Sequence, residues 1–408
     1  MQTDNKKVIT LLSIPVLVAA LGYFVDIYDL LLFSIVRIKS LKSLGLTDEL
    51  ISSDGMAIIG HQMLGLMIGG ILWGVMGDKK GRLSVLFGSI LLYSLANIAN
   101  GFVQTVQQYS ICRFIAGIGL AGELGAGITL VSELIPKEKR GIATSLVAGI
   151  GLSGAVVAYF IAQTFDWRVC YYIGGGLGLA LLMLRITVFE SGMFKNLQHQ
   201  NISKGNFFMF FTNGKRFKKY LLSILIGLPT WYVIGILVSF SKEFGKAFNI
   251  QEEINPGKAV MYAYVAIAIG DILVGLVSQW LKSRKKALYI FYGLTIISIV
   301  MYFNQQNGTA ADMYGICAFM GFATGFWAIF VTMAAEHFGT NLRATAATTV
   351  PNMVRGALPL ITWLYTSLMG YGQLKAAAIT GAIVMSISVI AAIMTEETFG
   401  KDLDFLEH

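Results

Sequence analysis

Arg113-Phe-Ile-Ala-Gly117-Ile-Gly119-Leu-Ala-Gly122-Glu123-Leu-Gly125-Ala-Gly127 is an apolar stretch with two opposite charges in it, and it leads on to Glu133-Leu-Ile-Pro136-Lys-Glu-Lys-Arg140-Gly141. The surrounding run, residues 106–135, exceeds the ~20 residues a helix needs to cross a bilayer. Gly117, Gly119, Gly122, Gly125 and Gly127 remove the side chains that would hold a second helix away. A charge at the centre of such a span costs about 2.5–3.5 kcal/mol on insertion scales, so Arg113 and Glu123 each call for a partner or a wet cavity. The acid–base spacing recurs half a chain later. Glu133 and Arg140 are seven residues apart, as are Glu336 and Arg343, and the two pairs are offset by 203 residues. At the same offset Arg82 falls on Lys285, each in a basic loop after the second span of its half. Two related halves of six spans follow, an arrangement known for transporters built from parallel repeats.

The composition agrees. Of 408 residues, 55% are hydrophobic and only 13% charged, against roughly 25% charged in soluble globular proteins. The predicted spans are 8–36, 55–77, 83–103, 106–135, 141–165, 168–189, 220–241, 259–281, 287–304, 312–336, 342–369 and 375–395. This is an all-α integral membrane protein with twelve transmembrane helices. Residues 1–36 read as an uncleaved first span rather than a secretory signal, because the apolar run is long and carries Asp26 and Asp29. With the termini inside, 20 of the 31 Lys and Arg fall in inner segments and 8 in outer loops, while Arg113, Arg185 and Arg355 lie within spans. That bias predicts a multi-pass protein of a bacterial-type inner (plasma) membrane with both termini cytoplasmic. It also accounts for the net charge of +8 without invoking nucleic acid.

The expected units are an N-terminal six-helix half (1–189), a cytoplasmic linker (190–219) and a C-terminal six-helix half with a short cytoplasmic tail (220–408). Within the linker, Phe207, Phe208, Phe210 and Phe211 precede Lys215, Arg216, Lys218 and Lys219. An aromatic cluster beside a basic one suits a short helix against membrane lipid, either as a simple anchor or as a regulatory lipid site. Cys112, Cys170 and Cys317 fall inside spans with no metal-ligand or pairing pattern and read as small buried apolar residues. No phosphate-binding loop, Ser-His-Asp arrangement or metal spacing is present, which argues against an enzyme, a cofactor and ATP as energy source.

The loop after span two reads Gly74-Val-Met-Gly77-Asp78-Lys79-Lys80-Gly81-Arg82. Gly81 suits a tight turn, and Asp78 suits the positive end of the following helix. The loop resembles the G-x-x-x-D-[RK]-x-G-R signature of the major facilitator superfamily. Its counterpart in the second half, Leu281-Lys282-Ser283-Arg284-Lys285-Lys286, keeps the bases and lacks the aspartate. Span four, with Arg-x-x-x-Gly-x-Gly and then Glu-x-x-Pro-x-x-x-Arg-Gly, is similar to the fourth helix of proton-coupled facilitators. Gly122-Glu123-Leu124-Gly125, and Gly22-Tyr-Phe-Val-Asp26-Ile-Tyr28-Asp29 in span one, resemble segments of the metabolite:proton symporters. The drug-antiporter Gly-Pro motif is absent from span five, where Gly149-Ile-Gly151-Leu-Ser-Gly154 has no proline.

The resemblance implies the major facilitator fold and a cytoplasmic gate of Gly74, Asp78, Gly81, Arg82, Glu133, Arg140, Glu336 and Arg343. It also implies that Asp29 carries the proton and Arg113 modulates it, with Glu123 a second candidate. From the residues themselves, Asp26 and Asp29 are three apart and share roughly one helix face. Moving Arg113 toward or away from a carboxylate changes how readily that group holds a proton. A static structural ion pair is the other reading. For the substrate, the resemblance places spans one, four, seven and ten around a cavity. Tyr28, Trp231, Tyr232, Phe326, Trp327, Asn352 and Arg355 are the candidates. Mid-span Arg355 suits a carboxylate or phosphate on the substrate, or else a pair with Asp271 or with the acids of span one. His61 reads as a satisfied buried histidine. The expectation is a monomeric secondary transporter that uses protons to import a small organic acid, amino acid, zwitterion or carboxylate-type siderophore. A proton-antiporting exporter and a non-transporting membrane sensor remain open.

Overall fold

The structure, a computed structural model, describes residues 14–80, 82–123, 140–190 and 207–401. In chain order the α-helices are α1 (Ile14–Ser43), α2 (Asp48–Lys80), α3 (Arg82–Asn100), α4 (Val106–Leu120), α5 (Arg140–Thr164), α6 (Trp167–Glu190), α7 (Gly214–Tyr232), α8 (Ser241–Ala247), α9 (Pro256–Leu281), α10 (Arg284–Phe303), α11 (Ala310–Ala323), α12 (Trp327–Glu336), α13 (Thr340–Gly356), α14 (Leu358–Ser367) and α15 (Gln373–Met394). A π-helical segment, Val233–Val238, prolongs α7. These helices make twelve crossings. The tenth is α11 plus α12 and the eleventh α13 plus α14, while α8 is a short helix on the connection after the seventh.

Local sequence sets the helix ends. Thr105 caps α4 by accepting from the Gln108 amide at 3.2 Å. Asn255 caps α9, with Pro256 in the first turn, where its missing N–H costs nothing. Thr309 and Asp312 cap α11 reciprocally. Lys282, in the left-handed region at φ 48°, ends α9 and lets Ser283 start α10 at once.

The tenth and eleventh crossings, expected as single helices, are interrupted. In the tenth, Gly325 lies where a Cβ would meet the Gly270 Cα at 2.6 Å, so the chain bends where two backbones touch. The restarted helix α12 is held by Asp271, whose Oδ1 accepts from the Ala328 amide at 2.9 Å. In the eleventh, Pro359 falls in the first turn of α14, where its missing N–H costs nothing, whereas Pro229 and Pro351 are carried inside α7 and α13. α1 also differs from expectation. It runs to Ser43 rather than ending at residue 36, and carries Arg37 inside the helix.

Packing bears out the close approach expected at the span-four glycines. A side chain at Gly117 would strike the Gln62 carbonyl of α2, while Gly119 and Gly122 lie against Tyr93 and Ser89 of α3. Gly125 and Gly127 lie outside the described residues. Within the first half α1 packs on α5 and α2 on α4; within the second, α9 packs on α11 and α7 on α15. The halves meet through α2 with α13 and through α5 and α1 with α9. The outside is apolar: Trp280 is 82% exposed and Leu360 69%. Such a surface is covered by hydrocarbon, and helices satisfy their own backbone polar groups within it.

Candidate functional site

Two buried ion pairs occupy the first half. Asp29 of α1 and Arg113 of α4 are both fully buried, with Nη1 donating to Oδ1 at 3.0 Å. Arg113 also donates to Asn97 Oδ1 and, from Nε, to Asn100 Oδ1 at 3.3 Å. Its guanidinium lies 4.6 Å from the centre of the Tyr171 ring. The second carboxylate oxygen of Asp29 has no hydrogen-bond partner among the described residues. Glu123 does not share this cluster. It pairs with Arg185 of α6 through contacts of 2.9 and 2.8 Å and accepts from the Ser89 hydroxyl at 3.3 Å. Nothing in the spacing announced that pair, because Arg185 lies 62 residues away on another helix.

Between the halves lies a small cavity. Tyr23, Asp26, Ile27 and Leu30 of α1, Leu66 of α2, Leu120 of α4 and Arg355 of α13 line it. Its space is at most about 220 Å³, below the roughly 300–1,000 Å³ of ordinary ligand pockets. Arg355 is buried and has no carboxylate within 4 Å among the described residues. Its Nη1 donates to Asn352 Oδ1 at 3.2 Å, while its Nε has no partner among the described residues. Trp327 and Trp231 flank the guanidinium at 5.5 and 6.0 Å. Asn352 donates in turn to the Ala121 carbonyl at 3.0 Å, which ties α13 to the end of α4. The structure thus gathers Arg355, Asn352, Trp231 and Trp327, four of the seven substrate candidates. Asp271, the alternative partner of Arg355, is engaged in capping α12.

Residues 16–362 match the family model described as Major Facilitator Superfamily. The chain belongs to the Major Facilitator Superfamily. It is therefore a secondary transporter of the membrane, not an enzyme. It is 26% identical over 431 residues to the niacin transporter NiaP of Acinetobacter baylyi, covering 95% of this chain and 94% of the relative. It is 23% identical over 366 residues to the gentisate transporter of Corynebacterium glutamicum, covering 85% and 80%. It is also 24% identical over 391 residues to the sialic acid transporter NanX of Escherichia coli, covering 92% of each. Among solved structures, the proton:xylose symporter XylE shares the fold at a TM-score of 0.68 and 17% identity, over 96% of this chain and 97% of that one.

Other candidates in this facilitator face away from the cavity. The Tyr28 hydroxyl donates to the Cys170 carbonyl at 2.9 Å inside the first half. Tyr232 donates to the Ala377 carbonyl at 2.7 Å, against α15. Phe326 packs edge-on against Tyr292. Each ring is buried within one half, and the two tyrosine hydroxyls are satisfied there. His61 is exposed, and its Nδ1 lies 2.7 Å from the Ser110 hydroxyl. The linker aromatics divide: Phe207 and Phe210 are buried, with Phe210 stacked on Tyr220 at 4.4 Å, while Phe208 and Phe211 are exposed.

Of the gate residues, Gly81 and Glu133 lie outside the described residues, as do the side chains of Asp78, Arg82 and Arg140. Gly74 stands opposite Thr349 of α13. Glu336 pairs with Arg284 at 3.0 Å, one residue before the Lys285 of the repeat alignment. Lys285 instead reaches the Thr395 carbonyl at 2.7 Å. Arg343 is half-buried at the start of α13.

The face away from the termini holds a pair that sequence reasoning missed. Arg37 of α1, fully buried, makes two bonds of 2.7 and 3.0 Å to the Glu243 carboxylate of α8. It also donates to the carbonyls of Ile51 and Ser239, both at 3.3 Å, and lies 4.1 Å over the Phe240 ring. One side chain thereby ties two helices of the first half to the second.

Proposed function

We propose that the protein imports a small organic acid together with protons, with both termini in the cytoplasm. Arg355 binds the acid's carboxylate and the Asp29–Arg113 pair handles the proton. The observation that carries this reading is Arg355 itself: a buried guanidinium in a cavity between the halves, with an unpartnered Nε and no described carboxylate in reach. A guanidinium in such a place is suited to bidentate recognition of a carboxylate. Relatives named for niacin, gentisate and benzoate transport support the substrate class. A buried Asp–Arg pair with one free carboxylate oxygen supports the coupling, since ionisable residues within a membrane are functional by default. Alternating access follows if the cavity opens in turn to the face closed by Arg37 and Glu243 and to the termini face.

Purified protein in liposomes tests the reading. A gradient acidic on the side opposite the termini drives accumulation of at least one small carboxylic acid, and an uncoupler abolishes it. Uptake indifferent to the gradient would remove the proton. Failure to bind any organic acid would remove the substrate class.

A further inference from the structure

We infer that the cavity selects a zwitterion, with Arg355 holding its carboxylate and Asp26 holding a positive group at the other end of an apolar body. This rests on the organic-acid reading above and narrows it. Three acids of the first half lie close together in the membrane core. Asp29 and Glu123 are each bound to an arginine. Asp26 is not: it is 6% exposed, and among the described residues its Oδ1 has no hydrogen-bond partner and no cation lies within ion-pairing distance. It lines the same cavity as Arg355, on the opposite half of the molecule, with Ile27, Leu30, Leu66 and Leu120 completing an apolar wall.

The physics selects in both directions. A buried carboxylate without a partner is costly, and an ammonium or strong donor on the ligand removes that cost. A plain acid on Arg355 instead brings a second anion to face Asp26 and carries no cation of its own to offset it. A dicarboxylate is worse. Discrimination thus comes from repulsion of the wrong ligand as much as from attraction of the right one.

Two matched pairs of probes test this on the full-length protein in nanodiscs by calorimetry: 3- and 4-(aminomethyl)benzoate against 3- and 4-ethylbenzoate. Each pair has the same shape and differs in an ammonium replacing a methyl. At least one aminomethyl acid binds about tenfold or more tighter than its ethyl partner, the size of a charge-assisted hydrogen bond. In Asp26→Asn the two move in opposite directions: the aminomethyl acid weakens about tenfold and the ethyl acid tightens. Misfolding cannot produce that crossing. Equal affinities in the native protein, a preference for the ethyl acids, or a preference unchanged in Asp26→Asn would overturn the inference and leave the organic-acid reading standing. If none of the four binds and no other carboxylic acid does, both fall.

Discussion

At the scale of the residue, the proposed function assigns proton and substrate to different side chains. Asp29 is bound to Arg113, which two asparagines also hold inside the first half, whereas Arg355 stands in the cavity with a nitrogen unpartnered among the described residues. Asp29→Asn keeps the shape and removes the proposed proton site. Exchange of labelled for unlabelled substrate across liposomes therefore continues, while uphill uptake driven by the gradient is lost. Retained uphill uptake would move the coupling elsewhere. Arg355→Lys keeps the charge and loses the planar fork, so affinity for the transported acid falls about tenfold or more, read by calorimetry. The charged members of these sites were legible because charge in an apolar span is conspicuous. Their partners were not: Glu123 was grouped with Asp29, and only the fold shows that Arg185 claims it. Aromatics were the least legible. Tyr28, Tyr232 and Phe326 resemble Trp231 and Trp327 in sequence, and which side of the helix meets the cavity depends on packing.

At the scale of the element, twelve crossings were readable from apolar runs alone, since a bilayer demands length and little else. The breaks were less so. Pro359 could have announced the interruption in the eleventh crossing. The one in the tenth has no proline and arises from contact between Gly325 and Gly270. The missing latch aspartate of the second half also has a structural counterpart. The Glu397 carboxylate, from the segment after α15, accepts from the Ser283 hydroxyl and from the amides of Arg284 and Lys285 at 2.9 and 3.2 Å. It sits at the N-terminus of α10, where an anion is favoured. Burial alone pushes this carboxyl up, but Ser283 and the amides of Phe399, Arg284 and Lys285 bring it down to about 2 from the usual 4.5. A depressed folded-state value means stability that is complete above pH 4.5 and lost as pH falls toward 2. Glu397→Gln should lower the melting temperature at pH 7 and narrow its gap to the parent as the pH drops through that window. A constant gap from pH 7 to pH 3 would show that the carboxylate charge is not what holds the tail to α10.

At the scale of the whole molecule, closure on one face rests on Arg37 and Glu243. Gly257 of α9 sits against Ile35 nearby, and Lys246 approaches Asp48 at 3.6 Å across the same seam, but these contacts are apolar or exposed. Arg37 is different. Apolar residues precede it in sequence, Lys39, Ser40, Lys42 and Ser43 follow it, and its partner is 206 positions away, so it reads as the first residue of a loop until the fold is seen. A fully buried guanidinium holding a carboxylate by two bonds keeps its charge compensated only while the halves are together. Opening that face must break both bonds and rehydrate both charges. Glu243→Gln keeps the size and removes the charge. Loss of one partner of a buried, hydrogen-bonded charge pair costs the closed state about 2 kcal/mol or more, roughly thirtyfold in the ratio of closed to open molecules. The consequence is directional. With the native cysteines removed and Leu30→Cys placed in the cavity wall, a membrane-impermeant maleimide added on the face away from the termini labels Glu243→Gln faster than its parent by about that factor. The same reagent reaching the cavity from the termini face labels it more slowly, because the two openings draw on one population. Unchanged labelling from both faces would mean that the pair stabilises the fold without governing which way the cavity opens.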